Sequence, residues 1–318
     1  MTLKVAIVGP GRSKQGTGPF IARTFKQLGC EVEAVVSSSL ASAKQAAQTL
    51  QSDYQIHCRA YENLQQLFEN HSIDVVVISS PVDSHLENLN SAIQAGCHVF
   101  CEKPLWWSQA IRTKEIQSIN HQATELVNSC HSNKVLLQLN TQWPYTLPTY
   151  YELYPQLKKQ KSIESFAMWL SPQSQGCTMI VDAAPHLFSM LYALVGCGKI
   201  NNIESNYRNA NPEQDLHITF DYLHAFGDTR VSISLLSSDT LPKPAAYAIN
   251  DLRADRHVEL PNYLISLRSE EHQLPLEDPL TSSIKNFIST IHSKASCDEV
   301  ALIDGMTHLA QLYQAVAE

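Results

Sequence analysis

Two short motifs contain the residues best suited to acid–base chemistry. Glu102-Lys103-Pro104 ends a predicted strand, and Asp182 and His186 lie on a predicted helix. The carboxyl end of a parallel strand lies on the edge where open α/β sheets bind ligands. A lysine amine there could take a proton from a substrate hydroxyl. Asp182 and His186 are four residues apart, so they share one helix face and could both reach a substrate hydroxyl.

Each of these residues also has an ordinary structural interpretation. A single lysine is usually a surface residue. An Asp/His pair at this spacing is more often a hydrogen-bonded pair on a helix surface, or occasionally a pair of metal ligands. We predict no metal site, and we favour acid–base roles because both motifs occur within the following arrangement of strands and helices.

The first 142 residues alternate short apolar strands with helical patterns, which is typical of a parallel sheet covered by helices. The predicted strands are Lys4 to Val8, Glu31 to Val36, Ile56 to Cys58, Val75 to Ile78, His98 to Cys101 and Val135 to Leu139. The predicted helices begin at Pro19, Ser42, Leu64, Leu86 and Ser108. Six strands in this order predict an α/β domain of the Rossmann dinucleotide-binding type over residues 1–142.

Residues 143–318 have a different pattern. Longer alternating segments predict strands at Ser162 to Leu170, Leu216 to Tyr222 and Arg230 to Leu236. Two helical patterns follow, from Leu280 to Lys294 and from Leu302 to Val316. We therefore predict a C-terminal α+β domain with a mostly antiparallel open sheet over these residues.

A glycine-rich loop follows the first predicted strand and precedes a helix that begins near Pro19. Glycine lets the backbone approach a pyrophosphate, which the positive helix end attracts. The predicted cofactor-binding residues of this loop are Gly9, Gly11, Arg12, Gly16 and Gly18. The loop is longer than a strict GxGxxG motif because Lys14 stands where that motif needs glycine. Thr17 stands where a P-loop needs lysine, which excludes ATP hydrolysis, whereas a turn without ligand remains the alternative.

The end of the second strand bears on the choice of cofactor. An acidic residue there binds the ribose 2′-hydroxyl of NAD and repels the 2′-phosphate of NADP. This chain has Ser37 and Ser38 at that point, and both can donate to a phosphate. We predict that both serines contact the cofactor and that NADP is slightly preferred, with NAD as the alternative.

Three motifs together resemble the Gfo/Idh/MocA oxidoreductases. Ser80-Pro81-Val82-Asp83-Ser84-His85 is similar to the family's (T/S)-P-x-x-x-H turn after strand four, and Glu102-Lys103-Pro104 is similar to its Glu-Lys-Pro signature after strand five. Asp182-Ala183-Ala184-Pro185-His186, followed by Gly196, is similar to its D-x-G-x-H helix, although Ala184 replaces the usual glycine. The paired C-terminal helices also match, so the resemblance covers nearly the whole chain.

The resemblance implies roles for particular residues. It implies that Ser80, Pro81, His85, Glu102 and Lys103 contact the cofactor, and that Lys103, Asp182 and His186 are catalytic and contact the substrate. Asn140, Gln142 and Trp143 stand where relatives have a G-F-x-x-R run, so they are expected to face the substrate. Because the usual arginine is absent there, a neutral polyol or sugar-like compound is the favoured substrate.

The resemblance implies an NAD(P)-dependent oxidoreductase that moves a hydride between the nicotinamide and a carbinol or carbonyl carbon, with Lys103 as proton shuttle. One alternative is a non-catalytic NAD(P)-binding regulator of the same fold, since fold does not fix function. Another is an imine or double-bond reductase on this scaffold. The family also implies that the C-terminal domain binds the substrate and forms the subunit contacts of a homodimer or homotetramer.

Composition narrows the classes of partner. The 318 residues carry a formal net charge of −8, which disfavours binding to nucleic acid. No run approaches the roughly 18 consecutive apolar residues of a spanning helix, so we expect a cytoplasmic protein without a membrane partner. The 8 cysteines include no CxxC pair, which favours reduced thiols, and Cys97 and Cys101 are expected on one face of a buried strand.

Overall fold

The computed structural model describes residues 2–11, 16–159, 162–207 and 215–317. Two compact units divide the chain. The first unit comprises Met1–Gln109, His121–Asn140 and Leu280–Leu302, and the second comprises Ala110–Asn120, Thr141–Pro279 and Ile303–Glu318. The chain passes from the first unit to the second between Asn140 and Thr141, close to the predicted boundary at residue 142. Each unit also contains a segment from the other side of that boundary. The contiguous division into 1–142 and 143–318 therefore stays a prediction.

A six-stranded parallel sheet forms the centre of the first unit, in the order β3-β2-β1-β4-β5-β6. Its strands are β1 (Lys4–Val8), β2 (Glu31–Val36), β3 (Arg59–Tyr61), β4 (Val75–Ile78), β5 (His98–Glu102) and β6 (Leu137–Asn140). The helices up to this point in the chain are α1 (Gly18–Gln27), α2 (Leu40–Tyr54), α3 (Leu64–Asn70), α4 (His85–Gln94) and α5 (Ile116–Asn133).

The central strands are apolar because both faces of a parallel sheet are covered. All four residues of β4 are buried, as are Cys97 and Cys101 at the ends of the β5 segment. The strand order reverses between β1 and β4. Ligands of open α/β sheets bind at such a switch point, outside the carboxyl ends of the strands. The predicted Rossmann arrangement is confirmed.

Three predicted elements of the first 142 residues begin too early, among them the sixth strand, which starts at Leu137 rather than Val135. The third strand starts at Arg59 rather than Ile56, because the Ile56 N–H donates to the Leu50 carbonyl at 3.1 Å and caps α2. Helix α5 starts at Ile116 rather than Ser108. The Gln314 side chain donates to the carbonyls of Ile111 and Lys114 at 2.7 and 2.9 Å, so hydrogen bonds within a helix do not occupy those carbonyls.

An eight-stranded sheet forms the second unit, in the order β14-β13-β12-β11-β7-β10-β9-β8. Its strands are β7 (Ser165–Leu170), β8 (Gly198–Tyr207), β9 (Leu216–His224), β10 (Gly227–Leu235), β11 (Ala245–Ile249), β12 (Leu252–Glu259), β13 (Leu264–Arg268) and β14 (Gln273–Leu276). The remaining helices are α6 (Leu147–Leu153), α7 (Thr178–Val195), α8 (Pro279–Ser293) and α9 (Gly305–Ala317). Among the described strands of this sheet, β7 and β10 alone pair in parallel, so the predicted mostly antiparallel sheet is confirmed.

Alternation along the strands gives the second sheet one buried face. In β9, Leu216, Ile218, Phe220 and Tyr222 are each at most 1% exposed. Among the described helices, α7 alone is long and apolar enough to cross a membrane by length and composition. Because 67% of it is buried inside the protein, it fits a core helix that packs on this unit.

Candidate active site

The glycine loop and the turn after β4 meet at the switch point. Gly9 directly follows β1 and has φ of +76°, and a Cβ there would lie 2.4 Å from the Cα of Ser80. Its N–H donates to the Val36 carbonyl at 2.8 Å. The Ser79 N–H and hydroxyl both donate to the Val8 carbonyl at 2.9 Å. Position 9 therefore requires glycine for backbone packing, whether or not a ligand binds there.

The far end of the loop is also closely packed. Helix α1 begins at Gly18, where a Cβ would lie 2.7 Å from the Ser79 hydroxyl oxygen and 2.9 Å from Pro10. Gly11 has room for a Cβ, which would have only the Ala46 methyl within reach, at 4.0 Å. The predicted cofactor residue Arg12 lies outside the described residues, and Gly16 lies just beyond that gap. The start of α1, with its positive dipole end, thus packs against the β4 turn.

The serines after β2 lie in different surroundings. The Ser37 N–H donates to the Tyr61 carbonyl at 3.1 Å. Its hydroxyl oxygen is buried and has no hydrogen-bond partner among the described residues. Ser38 is exposed, and Ser39 caps α2 by accepting from the Ser42 N–H at 3.2 Å. A hydroxyl buried without a partner is rare in proteins, so Ser37 has the capacity to bind a ligand.

His85 connects two of the motif turns. It is 1% exposed, and its Nε2 and Nδ1 each lie 3.0 Å from a backbone carbonyl, of Ser80 and Pro104 respectively. Burial lowers the pKa of His85, although its hydrogen bonds with those carbonyls oppose the shift. The ring therefore holds the β4 turn against the Glu-Lys-Pro turn. This geometry favours a positioning role, and the direct cofactor contact stays a prediction.

The ends of β5 and β6 bring three predicted site residues together. Glu102 pairs with Asn140 in the strand register, and the Asn140 amide donates to its carboxylate at 2.6 Å. Asn140 is 2% exposed, and its carboxamide oxygen has no hydrogen-bond partner among the described residues. Lys103 follows directly and is half-buried. This strand end therefore carries an amine and a carboxylate, with one buried carbonyl oxygen able to accept a further hydrogen bond.

Trp143 packs more deeply than its predicted substrate contact suggested. It is 6% exposed, and its ring makes an edge contact with Tyr247 at 5.9 Å between centroids. The Arg256 guanidinium lies 5.5 Å from the same ring centroid. Gln142 beside it is half-buried. Trp143 thus belongs largely to the core of the second unit, and its contact with substrate stays a prediction.

Helix α7 carries the other predicted catalytic pair. Asp182 and His186 are separated by one helical turn and are both half-buried. The Gln173 N–H and the Ser174 hydroxyl lie 3.4 and 3.5 Å from an Asp182 carboxylate oxygen. Residues that follow β7 therefore contact Asp182. Within the described ranges, no group of three or more His, Cys, Asp or Glu side chains could hold a metal ion.

The predicted site residues fall into two groups. At the switch point of the first unit, Gly9 packs against Ser80 and Gly18 packs against Ser79, and His85 links Ser80 to the turn that contains Lys103. Ser37 follows β2, the neighbour of β1, and the Glu102–Asn140 pair lies at the ends of β5 and β6. Gln142, Trp143, Asp182 and His186 lie in the second unit. The sequence interpretation missed Ser79 and Arg256. Ser79 could have been noticed as a polar residue at a strand end, whereas no motif surrounds Arg256.

Sequence comparison with known proteins gives matches in the first part of the chain. A family model described as "Oxidoreductase family, NAD-binding Rossmann fold" matches residues 3–140. The chain is 34% identical over 89 residues to the uncharacterized oxidoreductase YfiI of Bacillus subtilis, which covers 26% of this chain and 22% of that protein. It is 32% identical over 105 residues to the inositol 2-dehydrogenase of Salmonella typhimurium, or 33% and 30% of the two chains. The matched stretches thus span less than a third of these relatives.

Comparison with solved structures extends the similarity of fold to both units. UDP-N-acetylglucosamine 3-dehydrogenase GnnA from Acidithiobacillus ferrooxidans matches with a TM-score of 0.69 and 16% identity, over 100% of both chains. A 3-ketoreductase from Actinomadura kijaniata, in complex with TDP-benzene and NADP, matches with a TM-score of 0.68 and 17% identity over 100% of this chain and 97% of that one. At such low identity, these matches establish the fold alone.

The strand order and the glycine turn at the switch point define the class of protein. It is a two-unit α/β protein whose first unit has the Rossmann fold of nucleotide-binding oxidoreductases. The match of residues 3–140 to this family model agrees, for that part of the chain, with the resemblance to the Gfo/Idh/MocA oxidoreductases that the motifs indicated.

Proposed function

We propose that this chain is an NAD(P)-dependent oxidoreductase that acts on a carbinol or carbonyl carbon of a sugar-like or polyol substrate. The observation that carries the proposal is the Glu102-Lys103 strand end, which His85 ties to the β4 turn at the switch point. The similarity of part of the chain to an inositol 2-dehydrogenase supports this class of substrate.

The residues of the first unit fit a dinucleotide. Gly9 and Gly18 let the glycine loop pack closely on the β4 turn, and α1 begins there with its positive end, which would attract a pyrophosphate. The buried Ser37 hydroxyl, which has no partner among the described residues, is suited to the adenosine ribose or its phosphate. No carboxylate follows β2, which supports NADP over NAD. Gly11, Arg12, Gly16, Ser38, Ser80 and Pro81 complete the proposed cofactor set.

The chain's own residues then supply the proton chemistry. The bound nicotinamide would supply or accept the hydride. We assign the Lys103 amine as the group that takes the hydroxyl proton. The neighbouring Glu102 carboxylate accepts a hydrogen bond from the Asn140 amide, which would fix the end of the strand next to Lys103. His85 holds the two turns in register. Asp182 and His186 would orient the reacting hydroxyl, with His186 as an assisting acid or base. Asn140, Gln142 and Trp143 are the further proposed substrate contacts.

Replacing Lys103 with methionine tests the proposed role directly. The variant keeps a side chain of similar length but cannot move a proton. We expect turnover to fall roughly 10²- to 10⁴-fold, as for loss of a general acid–base group. The affinity for NADPH, followed by nicotinamide fluorescence, should stay within about twofold because other residues bind most of the cofactor.

The control is Lys26→Met. Lys26 lies in the last turn of α1, where its amine donates to the carbonyls of Tyr54 and Gln55 at 3.1 and 2.7 Å. The Lys26→Met protein should retain the wild-type rate of turnover. Turnover by the Lys103→Met protein at the wild-type rate would refute the proton-shuttle assignment. NADPH binding without turnover of any sugar, polyol or imine in the wild type would instead support a regulator of the same fold.

A further inference from the structure

Arg256 is a cation in the second unit that the site motifs do not include. It lies in β12, opposite Ala245 at the start of β11, and is half-buried. Its guanidinium carbon is 5.5 Å from the centroid of the Trp143 ring. Its Nη2 donates to the Lys243 carbonyl at 3.1 Å. Trp143 and Lys243 therefore fix the orientation of the guanidinium, leaving part of its planar donor set for another group.

The positive charge of Arg256 is not balanced within the part of the chain that the structure describes. No described carboxylate forms an ion pair with it, and its buried Nε has no hydrogen-bond partner there. Burial lowers the pKa of Arg256, since desolvation penalises the charged form. A buried cation without an anion or a full set of acceptors is costly. An anionic group from outside the chain would reduce this cost.

A chain of hydrogen bonds connects Arg256 with the proposed substrate residues of the same unit. The Lys243 amine donates to the Pro172 carbonyl at 3.1 Å. Pro172 precedes Gln173, whose N–H lies 3.4 Å from the Asp182 carboxylate. Ala246 of β11 also pairs with Trp169 near the end of β7. Arg256 and Asp182 thus lie near the same edge of the sheet, with the β7 end between them.

We propose that Arg256, with Lys243 beside it, binds an acidic group of the substrate, either a carboxylate or a phosphate. This inference rests on the proposed function and narrows it from sugars and polyols in general to acidic ones. Arginine presents a planar fork of donors that matches both groups. The missing arginine of the 138–143 segment favoured a neutral substrate, but the structure supplies a cation next to Trp143 from a distant strand.

Ligand binding tests this proposal independently of turnover. The full-length protein, with and without NADPH, is titrated with D-glucuronate, D-glucose 6-phosphate and D-glucose, following tryptophan fluorescence and heat. The same series is repeated with D-gluconate and its neutral counterpart D-sorbitol. We expect at least one acid to bind about tenfold or more tightly than its neutral counterpart. The carboxylate and phosphate members of the series distinguish the two acidic groups.

Matched variants assign the acid preference to one residue. Arg256→Met should weaken acid binding about tenfold or more and leave neutral binding unchanged, and Arg256→Lys should restore part of the loss. Arg253→Met is the control, because Arg253 lies on the same strand, stacks on Trp169 at 4.5 Å and pairs with Asp255. The Arg253→Met protein should keep the wild-type preference for acidic over neutral compounds. Circular dichroism confirms that each variant is folded.

The outcomes separate this inference from the proposed function. Equal binding of acids and neutral compounds by the wild type, or an acid preference that survives in folded Arg256→Met, would overturn the inference. Acid binding that depends on Arg256 without turnover of any compound would uphold the inference and contradict the proposed function. Turnover that depends on Lys103, without any preference for acidic compounds, would support the proposed function and overturn the inference about Arg256.

Discussion

At the scale of single residues, close packing within the protein accounts for residues that could otherwise be attributed to ligand binding. A Cβ at Gly9 would meet the Ser80 backbone at 2.4 Å, so the glycine is required before any cofactor is considered. Its position after the first strand could be predicted from the sequence. The role of His85 could not, because it depends on the Pro104 carbonyl, 19 residues further along the chain.

Gly9→Ala should destabilise the first unit and weaken cofactor binding. Gly29 provides the matched control, since it also has positive φ, of +85°, but open space at its Cβ position. We expect Gly29→Ala to lower the free energy of unfolding by about 1 kcal/mol and Gly9→Ala by roughly 2–4 kcal/mol, because a backbone clash adds to the strain. Urea unfolding measures both. Equal losses would show that Ser80 does not crowd position 9.

At the scale of elements, most strands could be predicted, whereas ends set by distant contacts could not. The apolar runs of β1, β2 and β4 match their predicted bounds because strands covered on both faces need continuous apolar residues. Ile56 has the same local character, yet it caps α2. The late start of α5 depends on Gln314, some 200 residues away. Sequence pattern alone carries no information on such partners.

Helix α9 provides a pH-dependent contribution to stability. His308 is 5% exposed, lies 2.8 Å from the Tyr192 hydroxyl, and has a pKa lowered by burial to about 4. The unfolded chain, with a histidine pKa near 6.5, binds the proton more readily. This contribution is therefore present above about pH 6.5 and is lost as pH falls toward 4, with a total change of roughly 3 kcal/mol.

His308→Phe should remove that part of the pH dependence. The free energy of unfolding, measured in urea between pH 7.5 and 4.5, should fall less steeply for this variant than for the wild type. His121→Gln is the control, because the His121 side chain is 74% exposed and pairs with Glu125 in the next turn of the same helix. A His308→Phe protein with the wild-type slope would contradict the assignment.

At the scale of the whole molecule, the fold class could be predicted from the sequence. The contacts between residues that are far apart in the chain could not. Six alternating strands and helices indicate a Rossmann unit, and alternating segments indicate an antiparallel sheet. No sequence pattern indicated that residues 280–302 belong to the first unit. No pattern indicated that Arg256 contacts Trp143 either, because β12 lies more than a hundred residues after the motif at positions 138–143.

The family resemblance predicts a homodimer or homotetramer for this chain. Light scattering at micromolar concentration should give two or four times the chain mass of 35.5 kDa. A single chain mass across that range would contradict a homo-oligomer.

The central claim is that the first unit binds a nicotinamide dinucleotide at the β1–β4 switch point. Parallel titrations of the full-length protein with NADPH and NADH, followed by nicotinamide fluorescence and heat of binding, test it most directly. We predict micromolar affinity for at least one of them, with NADPH tighter because no carboxylate follows β2 to repel a 2′-phosphate. Binding of neither dinucleotide would contradict the account and leave the glycine turn a structural feature only.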